Sequence, residues 1–199
     1  TLTATIGVRR SDDDRFGDAI NVRATVAWVL NNGATILRAS AADAFKAPTP
    51  IQLFSDFGNA TLLPEEASAV DVGLEHAVAR RRLIGGLTYF RRDATNQIDF
   101  ASCFNNTSPI CVGRPFGTYD NIARAFAEGV EATLEWRPTD AFSVSAAYTA
   151  LETENRSPGS ANRGRKLARR PDSTTAVSVA YRFPSGLDLS STLSVVGES

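Results

Sequence analysis

His76 is the only histidine in the chain, so any histidine-based catalysis has to run through it. A Ser-His-Asp hydrolase needs its histidine on a polar face, in reach of a nucleophile and an orienting acid. His76 instead falls in phase with Val70, Val72, Leu74 and Val78, on the apolar side of an alternating segment and near a short turn. It reads as an interfacial residue, and no hydrolase follows. Asp12-Asp13-Asp14 supplies oxygen ligands of the kind Ca²⁺ takes. Adjacent residues in extended chain point opposite ways, and the spaced acidic pattern with glycine is missing, so a solvated turn is expected. Cys103 and Cys111 lie close together in an Asn/Pro/Gly-rich stretch. The pair fits an oxidising compartment and a disulfide closing a small loop, with two separate thiols as the alternative. No Cys/His ligand spacing, phosphate loop or dinucleotide fingerprint is present, so neither metal nor cofactor is expected. Four carboxylates, Asp71, Glu75, Glu131 and Glu135, recur with Arg23 on the polar side of alternating segments. They have the means to pair across strands or with another domain.

The elements that position these residues are strands. Apolar residues recur with period two, which marks half-buried β structure. Leu2 to Val8 and Ile20 to Leu30 give the first two strands, and the third spans about Thr35 to Phe45. The fourth alternates Val70, Val72, Leu74 and Val78 against Asp71, Gly73, Glu75 and Ala77. The fifth covers about Leu83 to Arg92. The sixth sets Val130, Ala132, Leu134 and Trp136 against Gly129, Glu131, Thr133 and Glu135. Phe142 to Thr149, Val177 to Phe183 and Leu187 to Val195 complete nine. The second face of these strands carries Arg, Asp, Glu, Ser and Thr. That is too polar for a soluble core and too regular for loops.

Connection lengths alternate. Short turns at 31–33, 79–81, 138–140 and 184–186 are interleaved with longer polar connections at about 10–19, 46–68, 94–121 and 153–170. Short turns at one end and long loops at the other are the rhythm of an outer-membrane barrel, whose lipid face is apolar and whose lumen is polar. Trp28, Trp136, Phe142, Tyr181 and Phe183 sit near the short-turn ends, and Phe45, Tyr89 and Phe90 near the long-loop ends, as two aromatic girdles. A soluble sandwich also alternates. With 21 Lys and Arg against 22 Asp and Glu, the net charge of -1 argues against nucleic acid as a partner. No run reaches the ~20 apolar residues of a membrane helix, which does not bear on strands.

Several segments, in order, resemble TonB-dependent outer-membrane receptors, the large bacterial barrels that import scarce ligands. Arg38, Ala39, Ser40, Phe45, Lys46, Ala47 and Pro48 match R-A-S-x-x-x-x-F-[KR]-A-P. Asn59, Leu62, Pro64 and Glu65 match N-x-x-L-x-P-E, and Asp71, Gly73, Leu74 and Glu75 the strand after it. Tyr119, Asn121, Ala125, Gly129 and Glu131 match Y-x-N-x-x-x-A-x-x-x-G-x-E, and Leu167 to Pro171 an L-x-R-R-P strand entry. Tyr89 to Phe100 is similar to the strand end of the cobalamin-receptor branch.

The resemblance implies an all-β fold: an antiparallel meander of about nine strands, residues 1–199, forming part of a barrel of about 22 strands whose plug domain is not in this sequence. It implies residence in the bacterial outer membrane, lipid as a neighbour, and coupling to TonB through the plug. The ligand is expected to be cobalamin first and a ferric siderophore second. A small complete barrel or an adhesin-like β domain is the alternative of another class. Ligand contacts are expected from the long loops: Phe54, Asp56, Phe57 and Asn59 from one, Phe104, Asn105, Asn106, Arg114, Phe116 and Tyr119 from another. Both sets combine aromatic area with polar tips, which suits a large, partly polar ligand. Arg23, Asp71, Glu75, Glu131 and Glu135 are expected to face the lumen or plug, and Cys103–Cys111 to close an extracellular loop.

Overall fold

The computed structural model describes residues 1–105, 107–157, 163–167 and 169–198. Nine strands form one antiparallel sheet in which every strand pairs with its neighbours in sequence. They are β1 (Leu2–Asp13), β2 (Gly17–Leu30), β3 (Thr35–Lys46), β4 (Glu65–Val78), β5 (Leu83–Ser102), β6 (Gly117–Trp136), β7 (Phe142–Asn155), β8 (Ser173–Arg182) and β9 (Asp188–Val196). One short helix, α1 (Pro50–Phe54), interrupts the β3–β4 connection. The order is a plain meander with no Greek-key crossover, and β1 and β9 are its two open edges.

The register fixes which side chains share a face. Across the sheet, Trp28 pairs with Leu37, Leu37 with Leu74, Leu74 with Leu87 and Leu87 with Ala132. Val72 meets Tyr89, Tyr89 meets Val130, Trp136 meets Val144 and Val144 meets Val179. Glu75, Glu131 and Ser145 fall on the opposite side, Glu75 beside Gly86 and Glu131 between Thr88 and Thr149. The apolar face is therefore continuous, and among the described residues no second layer covers it. Val72, Leu74 and Leu87 are 60%, 44% and 54% exposed. A soluble sandwich would bury this face against another sheet. Here the apolar side is the free one and the charged side is turned inward, the arrangement of a barrel wall in lipid.

The strands run further than the alternation indicates. β5 and β6 each have 20 residues, roughly 65 Å of extended chain, whereas a tilted crossing needs about 9–11 residues. The expected connection at 10–19 shrinks to a turn at 14–16, because Arg10 pairs with Ile20 and Asp13 with Gly17. The expected connection at 94–121 is largely ladder, from Thr95–Arg124 to Ser102–Gly117. The physical reason is common to both. Beyond the apolar layer each face meets water, so the period-two signal fades while backbone pairing continues. The connections that remain long are 47–64, 103–116 and 156–172, all at one end.

One girdle residue departs from expectation within the sheet. The sequence groups Phe90 with the outward girdle, but it pairs with Asp71 and Gly129, on the polar face. A Cβ on Gly129 would stand 2.7 Å from the Phe90 ring and 2.2 Å from the Ala150 carbonyl oxygen, so glycine makes the room that ring occupies. Asp12 and Asp13 end β1 and Asp14 opens the turn, which is held from within: Asp13 Oδ1 accepts the N–H groups of Arg15 and Phe16 at 2.9 and 3.0 Å.

Placing an arginine at Leu74, mid-height on the apolar face, should cost about 2–4 kcal/mol in a folded full-length barrel, against near zero for Ser145→Arg on the polar face. Denaturant unfolding of the two variants in lipid vesicles checks this. Equal losses would contradict the assigned facing.

Candidate functional site

The long-loop end contains the most deeply buried apolar cluster of the described chain. Leu53 of α1, Leu62 of the same connection and Ile98 of β5 are buried, and Phe16 and Tyr119 pack against them. The local sequence explains the shape. Pro48 and Pro50 supply no amide donors and end the strand. Thr49 caps α1, accepting from the Gln52 N–H while the Gln52 side chain accepts from the Thr49 N–H. That turn delivers Leu53 inward and leaves Phe54 exposed.

Two side-chain amides, the buried Asn59 and the half-buried Asn121, join this connection to the β5–β6 hairpin. Asn121 accepts the Leu63 N–H at 2.8 Å and donates to the carbonyls of Leu63 and Asn96. Asn59 donates to the Tyr119 carbonyl at 3.1 Å and accepts from Thr61. The Phe57 carbonyl accepts both the Tyr119 N–H and the Thr118 hydroxyl, each at 3.1 Å. Glu65 accepts the Ile98 N–H at 2.7 Å. Phe57, Phe100 and Tyr119 stack edge to face, with ring centroids 5.8 and 5.7 Å apart. From the β1–β2 turn, Arg15 donates to the Ala60 carbonyl and lies 5.3 Å from the Phe54 ring. Three connections thus form one body.

The expected contact residues divide into two groups. Phe54, Asp56, Phe57, Phe104, Asn105 and Phe116 are exposed. Asn59 is 5% exposed and its amide is used internally, so its place in the structure is that of a brace. Tyr119 is half-buried in β6, not in a loop. Arg114 donates to Thr118, and Asn106 lies outside the described residues. Cys103 and Cys111 are bonded, with Cα atoms 5.3 Å apart. The bond closes the tip that carries Phe104, and the Cys103 N–H donates to the Phe116 carbonyl. In the sequence, Asn121 and Phe100 stand out only within motifs, and Arg15 carries no signal of its own.

The polar face carries a second constellation near the short turns. Glu75 is held by Arg38 at 2.8 Å and by Arg81 at 3.6 Å. Gly73 lies between these side chains: a Cβ there would stand 2.8 Å from the Thr88 hydroxyl oxygen and in ordinary contact with the Arg38 Cγ. Asp71 accepts from Ser40 at 2.6 Å, and Glu135 pairs with Arg137 at 3.5 Å. Arg23 and Glu131 share this face, and neither has an ion-pair partner among the described residues. These half-exposed pairs are worth about 0–1 kcal/mol each. His76, on the other face, meets the Thr35 hydroxyl at 2.9 Å. Neither constellation assembles a nucleophile, base and oxyanion site.

Replacing Asn121 with Ala would strand the Leu63 amide and two carbonyls, a cost of about 1–3 kcal/mol confined to the loop end. Hydrogen exchange should quicken at Leu63 and proteolysis at 47–64, with the barrel's heat stability unchanged.

The family model described as "TonB dependent receptor-like, beta-barrel" matches residues 1–198. Among curated proteins, the chain is 27% identical over 184 residues to the ferric enterobactin receptor of Pseudomonas aeruginosa, covering 78% of this chain and 24% of that protein. It is 28% identical over 175 residues to the iron-regulated outer membrane virulence protein of Vibrio cholerae, covering 80% and 26%. A crystal structure of a mutant Pseudomonas ferric enterobactin receptor in complex with enterobactin superposes with a TM-score of 0.78 at 25% identity, covering 98% of this chain and 30% of that one. The siderophore receptor PirA of the same organism shares the fold, with a TM-score of 0.71 at 21% identity and coverage of 98% and 34%. The chain spans about a quarter of the length of the curated relatives it matches. The match over residues 1–198, the meander and the lipid-ready apolar face together establish that this chain belongs to the β-barrel family of TonB-dependent receptors, proteins of the bacterial outer membrane.

Proposed function

We propose that this chain is the part of an outer-membrane active transporter that helps capture a ferric siderophore at the cell surface, for import to the periplasm with energy delivered by TonB. The observation that carries the reading is the welded loop end: a rigid body that exposes Phe54, Phe57 and Asp56 beside a disulfide-closed tip exposing Phe104, Asn105 and Phe116. Aromatic area with polar tips on a preorganised support suits a bulky chelate, because little ordering entropy remains to be lost on binding. TonB would act through a plug domain elsewhere in the receptor, with Arg23 and Glu131 on the polar wall available to it.

The sequence ranks cobalamin above iron chelates, on the segment ending in Ile98-Asp99-Phe100. The relatives favour the reverse order, since those reported above carry names that refer to iron or to siderophores. The structure also gives that segment another use: Ile98 fills the loop core and Phe100 the aromatic stack. The iron chelate therefore takes first place. A catalytic role has no support in the geometry of either constellation.

Changing Phe57 and Phe116 to Ala together, in the full-length receptor, should weaken ferric-siderophore binding about tenfold or more and leave barrel heat stability unaltered. Equilibrium binding to a panel of ferric chelates and to cyanocobalamin is the measurement. Binding of cobalamin alone would overturn the ligand class, and unchanged affinities in the double variant would overturn the contact residues.

A further inference from the structure

Lys46 and Glu65 flank the 47–64 connection and form the last rung of the β3–β4 ladder. Their side chains meet, with Lys46 Nζ 2.9 Å from Glu65 Oε2. The other carboxylate oxygen does separate work: Glu65 Oε1 accepts the Ile98 N–H at 2.7 Å. Ile98 is buried, so its amide would be costly to leave unpaired, and β4 no longer pairs with β5 at its level. The β4–β5 ladder stops at Glu66–Thr95. Asn96, next in β5, has a left-handed φ of 55°, which regular strand pairing does not accommodate, and Pro64 supplies no amide. A carboxylate of β4 thus stands where a further backbone rung is missing.

Above this level β5 and β6 form a two-stranded ribbon. Their ladder runs on from Gln97–Ile122 to Ser102–Gly117, whereas β6–β7 pairing begins only at Ala125–Asn155. A two-stranded ribbon without further support is marginally stable. This one carries the disulfide-closed tip, with Phe104 and Phe116 exposed. The braces from Phe57, Asn59 and Leu63 weld the ribbon to the 47–64 connection. They leave open how the welded body is set on the sheet. Glu65 belongs to β4, so its bond to Ile98 ties the foot of the ribbon to the barrel wall, two residues beyond the left-handed Asn96.

From this arrangement we infer that Glu65, oriented by Lys46, is a positioning residue. It fixes the angle at which the welded loop end stands on the wall, and so where Phe57 and Phe116 are presented to a ligand. The inference rests on the proposed function and deepens it, by naming what holds the contact surface in place. A bulky ligand binds tightly to such a surface when the surface is placed beforehand; otherwise part of the interaction energy is spent on ordering it. The ion pair adds little stability of its own, because the Lys46 side chain is 60% exposed. Its effect is directional: with Oε2 engaged by Lys46, Oε1 is turned to Ile98. A hydrogen bond to an ionised acceptor is stronger than one to a neutral acceptor, which suits a single bond at the foot of a long ribbon.

The test uses the full-length receptor, with a ferric tris-catecholate and a ferric tris-hydroxamate as probes. Glu65→Ala should weaken binding of whichever probe the wild type takes by about tenfold, with barrel heat stability unaltered. Glu65→Gln keeps an acceptor for the Ile98 amide and should recover most of that loss. Glu65→Asp, shorter by one methylene, should not. Hydrogen exchange at the Ile98 amide should quicken in the Ala and Asp variants and slow again in the Gln variant. A double-mutant cycle separates positioning from general support. Glu65→Ala combined with Phe57→Ala and Phe116→Ala should lose about threefold less affinity than the product of the separate losses, because contacts already out of place have less to lose. Where the Ala variant fails to fold, judged by heat-modifiable migration, the Asp variant carries the same readings. Unchanged affinity in Glu65→Ala, a Gln variant as weak as the Ala variant, losses that simply multiply in the cycle, or a fall in barrel heat stability would overturn the inference. A wild-type receptor that binds neither probe removes the proposed function itself, whereas normal binding by the Ala variant removes only this inference.

Discussion

Backbone pairing across the sheet is the constraint from which the rest of this structure follows. Hydrocarbon offers no partner to an amide or a carbonyl, so each strand that crosses must be bonded on both sides. A meander meets that demand with the least chain, since every strand finds its partner next in sequence. The same demand explains why tertiary burial is so slight in the crossing region: the described chain buries only a handful of apolar residues, mostly where loops fold rather than where strands cross. The apolar face contributes through lipid. β1 and β9 leave unpaired rows of amides and carbonyls in this sheet, and closure therefore calls for further strands of the receptor.

Once pairing is secured, side chains on the two faces are free to do different work. The outward face needs only to be apolar and to end in aromatic residues, as Trp136 and Phe142 do in edge-to-face contact 6.1 Å apart. The inward face has to hold charge without an aqueous reservoir of fixed size, and it does so by local pairing. Glu75 shared between Arg38 and Arg81 is an example. Such pairs add little stability one by one. Their effect is to set where the wall is neutral and where, as at Glu131 and Arg23, a charge has no ion-pair partner among the described residues.

What the sequence revealed, and what it concealed, follows from the same division. Where lipid lies on one side and water on the other, the alternation is sharp, so Val72, Leu74, Val130 and Glu131 could each be assigned a face from the sequence. Above the lipid both faces are wet, and β5 and β6 continue for many residues that look like loop. Tyr119 reads as a loop residue for that reason, although it is paired with Phe100 in a ladder. Asn59 shows a second limit. An asparagine in an aromatic-rich connection has the composition of a ligand contact, and only its surroundings show that its amide is already engaged by Tyr119 and Thr61. Arg15 shows a third: its link to Phe54 and Ala60 spans dozens of residues, and no local pattern encodes such a contact.

Under the proposed function, the loop end combines two requirements that oppose one another. Capture of a large ligand favours exposed aromatic area, and exposed aromatic loops tend to collapse or to lose entropy on binding. This chain meets both by separating the tasks among neighbouring residues. Leu53, Leu62 and Ile98 form a small core, Asn121 and Asn59 hold the backbone above it, and the disulfide fixes the tip. The Phe104 and Phe116 side chains can then stay exposed, because neither is needed to hold the loops in shape.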